Sequence, residues 1–169
     1  PRALNNMGSL LLIEKRFAEA IPYLQRAAVL TPNDYVVLLN LGDAQRLIGH
    51  TKDAHSTYQK AMELSLAELE QSPGDGLSRA FFAYFAARMG DRRRAEDEIR
   101  QAMRLAPGDN TVIRRAILTY EALAMRTEAL EVARSASPEL LRNLKTDPDL
   151  AGFCQDPRFT EIVVQISQK

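Results

Sequence analysis

Alanine recurs along this chain at a nearly constant step. Four alanines lie in helix-forming stretches, each just after a polar turn, at steps of 34, 41 and 34 residues: Ala20, Ala54, Ala95 and Ala129. A second alanine follows each of them by seven residues, at Ala27, Ala61, Ala102 and Ala136. A period of about 20 to 50 residues is typical of arrays in which each repeat is one supersecondary unit. The sequence therefore predicts a stack of similar helical units.

Glycine keeps the same step, since Gly8 recurs as Gly42. A glycine in one helix and an alanine in the next allow two backbones to cross closely, because a larger side chain would force the helices apart. The pattern predicts antiparallel helix hairpins. We expect Gly49 and Gly90 to end first helices in the left-handed conformation, and Asp91 to cap the second helix that follows.

Two segments, LNNMGSLLLIEKRFAEAIPYLQRAAVLTPND and GDRRRAEDEIRQAMRLAPGD, resemble tetratricopeptide repeats. The resemblance covers residues 1–136 and implies an all-α fold, a right-handed superhelical solenoid of antiparallel helix hairpins with short C-terminal capping helices. It places the repeats at about 1–34, 35–75, 76–109 and 110–136. The long step of 41 residues adds seven residues to a run of helix formers in the second repeat, which predicts an extended second helix there.

The period fails in residues 137–169, which we expect to form a helical capping tail. Ser137 and Pro138 begin one helical run, and two short capping helices are predicted after Asp147 and Asp156, each followed by a proline suited to a first helical turn. The strings DPDLAGF and DPRFTEIV resemble the tail that follows such repeats in bacterial multidomain proteins, including serine/threonine kinases and nucleotide cyclases.

Charge and cysteine content narrow the classes of partner. Lys plus Arg and Asp plus Glu number 22 each, so nothing in the balance indicates nucleic acid or an anionic membrane as a target. No apolar run reaches the roughly 18 to 20 residues of a bilayer span, so we expect no direct membrane insertion. The single Cys154 favours a reducing, cytoplasmic location.

Because the chain begins with Pro1 inside a helical pattern, we expect it to be a fragment of a longer polypeptide.

The residues of this sequence do not form a recognisable catalytic group. Catalysis needs a nucleophile with a base and an orienting group, or a metal, and the residues at suitable spacing are missing. His50 and His55 lie in a turn and at the start of a helix and do not share one face. The run Arg92 to Arg94 is followed by acidic residues on the same helix, which predicts local charge pairing. The chain is predicted to be no enzyme and to use no cofactor or metal.

The resemblance implies a binding surface on the first helices of the hairpins, which line the inner groove in the family. Transferred by spacing, the partner-binding residues are Asn40, Arg46, Phe81, Tyr84, Arg88, Arg114 and Arg115. The other groove positions are Asn5, Ser9, Ile13, Leu39, Asp43, Leu47, Thr111 and Leu118. We expect Tyr84, Arg88 and Arg115 to hold the partner most strongly. Aromatic residues and arginines are frequent at binding hot spots. The alternative for Phe81 and Tyr84 is a role in contacts between repeats. Of the clamp that chaperone-binding members use for a terminal carboxylate, Asn40 alone matches, which argues against that ligand.

Three functions follow from this pattern. The first is a non-catalytic scaffold that binds a peptide or protein segment in the groove. The second is a regulatory segment of a larger bacterial signalling enzyme, a serine/threonine kinase or nucleotide cyclase, and the full reading frame would distinguish it. The third is a self-assembling module that associates through its N-terminal edge, which light scattering would detect.

Overall fold

The computed structural model describes residues 1–167 as helices joined by short turns, and no strand occurs in that range. The all-α prediction is therefore confirmed. Residues 168 and 169, the last two of the predicted tail, lie outside the described residues. The helices are α1 (Arg2–Ile13), α2 (Phe17–Leu30), α3 (Tyr35–Leu47), α4 (Thr51–Gln71), α5 (Gly76–Arg88), α6 (Arg92–Leu105), α7 (Asn110–Ala122), α8 (Arg126–Ala133), α9 (Pro138–Leu144), α10 (Ala151–Cys154) and α11 (Pro157–Ser167).

The chain forms two compact units, which we call the N-terminal unit (Pro1–Glu68) and the C-terminal unit, which begins at Leu69. In the N-terminal unit α1 packs on α2, and both contact α3. In the C-terminal unit α5 packs on α6 and α7, α7 packs on α8, and α11 contacts α8 and α9. Helix α4 has 21 residues, whereas α2 and α6 have 14 each.

Small residues lie where the helices of a hairpin cross. The recurring alanines Ala20, Ala95 and Ala129 are fully buried. A Cβ atom added at Gly8 would lie 2.5 Å from Leu24, and one added at Gly42 would lie 2.6 Å from the ring of Tyr58. No side chain larger than hydrogen fits at Gly8 or Gly42 unless the side chain of Leu24 or Tyr58 moves, so the helices of each hairpin approach closely, as predicted.

The turn after each first helix contains one residue in the left-handed conformation. Gly49 has φ +85° and Gly90 has φ +84°, which confirms both predictions. Lys15 and Ala124 occupy the same turn position in the other hairpins, with φ values of 60° and 59°. A residue with a Cβ atom is strained there by roughly 1–2 kcal/mol, so the turn geometry is imposed by the hairpin and not by glycine alone.

Aspartate and serine side chains cap the N-termini of several helices. The carboxylate of Asp91 accepts a hydrogen bond from the backbone N–H of Arg94, which confirms the predicted cap of α6. Ser137 caps α9. Asp147 caps the 3-10 helix Pro148–Leu150, which leads into the four-residue α10. The first of the two predicted tail helices is thus a 3-10 turn followed by a single α-helical turn.

Helix α5 is central to the C-terminal unit. Its residues from Ala80 to Ala87 are all buried, so the helix presents apolar side chains to neighbours on every side. This helix carries three of the predicted binding residues, and its surroundings therefore decide how accessible they are.

Candidate functional site

The predicted binding residues lie on first helices in both units. Asn40 and Arg46 are on α3, in the N-terminal unit. The other five are in the C-terminal unit, with Phe81, Tyr84 and Arg88 on α5 and Arg114 and Arg115 on α7.

Asn40 joins α1 to α3 through a small polar network. Its side-chain nitrogen donates hydrogen bonds to Oδ1 of Asn5 and to Oγ of Ser9, both at 3.0 Å. All three side chains are half-buried. Because both hydrogens of the Asn40 amide are used inside the protein, its carbonyl oxygen is left to accept. The Asn5 amide nitrogen has two hydrogens to donate, so the network offers both kinds of hydrogen-bonding group.

Arg46 lies nearly two turns further along α3 in a charge-balanced cluster. The hydroxyl of Tyr58 donates to Oδ1 of Asp43 at 2.5 Å, and Nε of Arg46 donates to the same hydroxyl at 3.3 Å. A guanidinium nitrogen of Arg46 is 3.8 Å from the Asp43 carboxylate. The cluster ties α3 to α4, so the structure gives Arg46 a role within its own hairpin.

Phe81, Tyr84 and Arg115 form a buried stack between α5 and α7. The Arg115 guanidinium carbon lies 4.9 Å from the centre of the Phe81 ring and 5.4 Å from that of Tyr84. Tyr84 is completely buried, and Phe81 and Arg115 are nearly so. A cation over an aromatic face is stabilising, most strongly where water is excluded. The stack therefore holds two first helices together.

Arg88 and Arg114 contact the C-terminal tail. Nη2 of Arg88 donates to Oδ2 of Asp149 at 2.6 Å, while its Nε donates to the hydroxyl of Tyr84 at 2.9 Å. Nη2 of Arg114 donates to Oδ2 of Asp147 at 2.8 Å. Both tail carboxylates thus lie on the face of α5 and α7 that the sequence predicts to bind a partner. Sequence reasoning missed these contacts, since it assigned Asp147 only to a helix cap.

The thiol and the arginine run that the sequence singles out have the following surroundings in the described chain. Burial raises the pKa of the Cys154 thiol to about 11, so the reactive thiolate is scarce at neutral pH. Arg92 is 3.3 Å from Glu96 one helical turn away, so local charge pairing is confirmed for Arg92, whereas the guanidinium of Arg94 lies over the ring of Phe82. In residues 1–167, no group of three His, Cys, Asp or Glu side chains is arranged to hold a metal ion. No helix in that range is long and apolar enough to cross a bilayer.

Comparison with known proteins relates this architecture to one family. Residues 1–67 match the family model of the tetratricopeptide repeat. A thermophilic tetratricopeptide repeat protein of Thermus thermophilus is similar in structure, with a TM-score of 0.53 at 18% identity over 99% of this chain and 97% of that chain. Tetratricopeptide-like repeats attributed to a kinesin light chain of Podospora anserina have a TM-score of 0.52 at 14% identity, over 99% and 93% of the two chains. No curated protein matches the chain in sequence. The chain therefore has the tetratricopeptide repeat fold.

Proposed function

We propose that this chain is a non-catalytic protein-interaction module of the cytoplasm, which binds a peptide or protein segment on the inner faces of its first helices. The tetratricopeptide repeat fold supports the proposal, since such repeats present surfaces to protein partners. The fold alone does not specify a ligand, because one scaffold serves many partners. The choice of ligand therefore depends on the side chains of these faces.

The observation that carries the proposal is the polar network centred on Asn40. An amide side chain has an acceptor and a donor, as a peptide backbone unit does, so Asn40 and Asn5 match the hydrogen-bonding groups of an extended segment. The contact from Asn40 to Asn5 and Ser9 holds these side chains in one orientation. A fixed side chain loses less entropy when a ligand binds, which favours affinity.

Selection from a display library of random peptides tests the proposal. We expect the chain to enrich peptides that bind the N-terminal unit, and Asn40→Ala to weaken their binding by about 2 kcal/mol, roughly thirtyfold, as truncation of a hot spot does. Asn6→Ala is the matched control, because Asn6 is exposed on α1. Binding is measured by calorimetry on variants whose circular dichroism shows them folded.

Two outcomes would contradict the proposal. The library could yield no peptide that binds the folded chain. Alternatively, the selected peptides could bind Asn40→Ala and Asn6→Ala with the same affinity, in which case the contact lies outside the face of α1 and α3.

An exposed apolar face on α1 favours self-association as a second candidate function. Met7 is 44% exposed and Leu10 is 48% exposed. Their equivalents one repeat later, Leu41 and Ala44, are buried against the first hairpin, in the same core cluster as Leu11. The same positions are thus exposed on the first hairpin and covered on the second. A second copy of the chain is one occupant that could cover them.

Met7→Glu/Leu10→Glu is expected to abolish this self-association, since two carboxylates cannot be buried at an apolar contact without a large desolvation cost. Light scattering over a range of protein concentrations measures the oligomeric state. Val29→Glu is the control, because Val29 is an exposed apolar residue on α2. If the wild-type chain is monomeric at every concentration, this second function is excluded.

A further inference from the structure

The tail reaches the inner face of the C-terminal unit through three consecutive residues, Asp147, Pro148 and Asp149. Asp149 pairs with Arg88 on α5, and Asp147 pairs with Arg114 on α7. The two arginines belong to the first helices of consecutive hairpins. A short acidic segment therefore bridges the helices that would line a groove.

The pair of Arg88 with Asp149 is shielded from water, and so is the carboxylate of Asp147, whereas the side chain of Arg114 is 42% exposed. The side chains of Arg88 and Asp149 are 14% and 17% exposed, and that of Asp147 is 8% exposed. Charge-assisted hydrogen bonds strengthen as water is excluded, and they require partners of opposite charge at fixed positions. The largely buried Arg88 therefore discriminates in favour of a carboxylate, and Arg114 supplies a second positive charge on the same face.

Apolar anchors flank the acidic residues. Leu144, three positions before Asp147, and Leu150, directly after Asp149, are both completely buried. The backbone of Asp147 is extended, and the turn Pro148–Leu150 that follows brings the next carboxylate toward the second arginine. Two carboxylates between two buried leucines form a compact recognition element, in which charge gives specificity and apolar area gives affinity.

We propose that residues 144–150 are an intramolecular ligand of the face formed by Arg88 and Arg114. The same face takes a partner segment in which one residue separates two carboxylates and aliphatic side chains flank them. The proposal rests on the proposed function, whose ligand class it specifies for the C-terminal unit. A partner segment of this kind replaces each carboxylate with another, so the largely buried Arg88 keeps a counter-ion in the bound state. The tethered tail competes at a high effective concentration, so it lowers the apparent affinity of any such partner.

The test uses a fluorescent synthetic peptide with the sequence of residues 144–151 and the full chain. Asp147→Asn/Asp149→Asn keeps the shape of the tail but removes its two charges. We expect this variant to bind the peptide at least about tenfold more tightly than the wild-type chain, because its own tail competes less well. A peptide with asparagine at both acidic positions is expected not to bind, and Arg88→Gln is expected to abolish binding of the acidic peptide.

Matched controls separate this effect from a change in net charge. Glu139→Gln/Glu161→Gln removes two exposed tail charges, and Arg104→Gln removes an exposed arginine of α6. The tail control is expected to bind the peptide as the wild-type chain does. Arg104→Gln, placed in the Asp147→Asn/Asp149→Asn background, is expected to leave that variant's affinity unchanged. Equal peptide affinity of the wild-type chain and Asp147→Asn/Asp149→Asn would overturn the proposal, as would equal binding of the acidic and asparagine peptides.

Hydrogen exchange on the wild-type chain gives a second measurement that needs no variant. Excess peptide is expected to accelerate amide exchange in residues 138–154 while α5 to α7 stay protected, and unchanged exchange would overturn the proposal. Failure here is distinguishable from failure of the proposed function. Peptides from the random library would still bind the N-terminal unit and still depend on Asn40 if only the tail proposal were wrong.

Discussion

Ala54→Arg is expected to lower the free energy of unfolding by more than about 4 kcal/mol, a large part of the 5–15 kcal/mol typical of a folded domain. Ala54 is almost completely buried in α4, the second helix of its hairpin. Enlarging a side chain in a packed core costs about 1–3 kcal/mol by itself. The buried guanidinium adds the cost of an unpaired charge, so the hairpin is expected to open.

Ala67→Arg is the matched control, because Ala67 is exposed on the same helix. The new arginine would lie one helical turn from Glu63, where an ion pair is mildly favourable, so we expect a change within about 0.5 kcal/mol. Denaturant unfolding followed by circular dichroism measures both variants. Equal midpoints for the two would contradict the hairpin register, since they would show that α4 does not bury its first turn as described.

The hairpins could be predicted from sequence because each repeat restates the same local requirement. A buried alanine in the second helix and a closely packed glycine in the first recur at a fixed step, so the agreement between Gly8 and Gly42 is visible in the sequence. Left-handed turns were predicted only where glycine signals them. Lys15 adopts the same conformation without any such signal, because the surrounding hairpin determines its backbone.

Whether the side chains of the predicted binding face are exposed or covered could not be predicted from the sequence, for two physical reasons. Helix α5 is apolar over an unbroken run, so periodicity does not separate an inner face from contacts between helices, and Tyr84 proves to be buried. The tail contacts join residues 61 and 33 positions apart, from Arg88 to Asp149 and from Arg114 to Asp147. Contacts outside the repeat have no counterpart elsewhere in the chain, so no period predicts them.

The roles of Arg88 and Arg114 in binding a partner therefore remain predictions. The structure changes the expected accessibility of the two side chains. The sequence predicts arginines that are accessible to a partner, whereas the structure shows each one paired with a tail carboxylate. A segment that binds there must compete with the tail. The strength of the tail's attachment consequently determines how accessible the face is, and that attachment depends on a small aromatic cluster.

Phe153→Ala is expected to destabilise the C-terminal unit by about 3–5 kcal/mol, as deletion of a buried phenylalanine ring usually does. Phe153 is completely buried in α10, with its ring centre 4.9 Å from that of Phe159. The guanidinium of Arg126, on α8, lies 5.7 Å from the same ring, and its Nη1 donates to the carbonyl of Gly152 at 3.0 Å. Removing the ring leaves a cavity where the tail meets the last hairpin.

Local release of the tail should precede global unfolding in this variant, because the contacts of the ring with Phe159 and Arg126 lie within the tail and between the tail and α8. Hydrogen exchange is expected to rise first in residues 147–167, while amides of α5 and α6 keep their protection. Val164→Ala, a substitution at a half-exposed position of α11, is the control and should change stability by less than about 1 kcal/mol. If Phe153→Ala and Val164→Ala unfold at the same denaturant concentration, the aromatic cluster does not fasten the tail. The tail's hold on α5 and α7 would then depend on the carboxylates of Asp147 and Asp149 together with the buried Leu144 and Leu150.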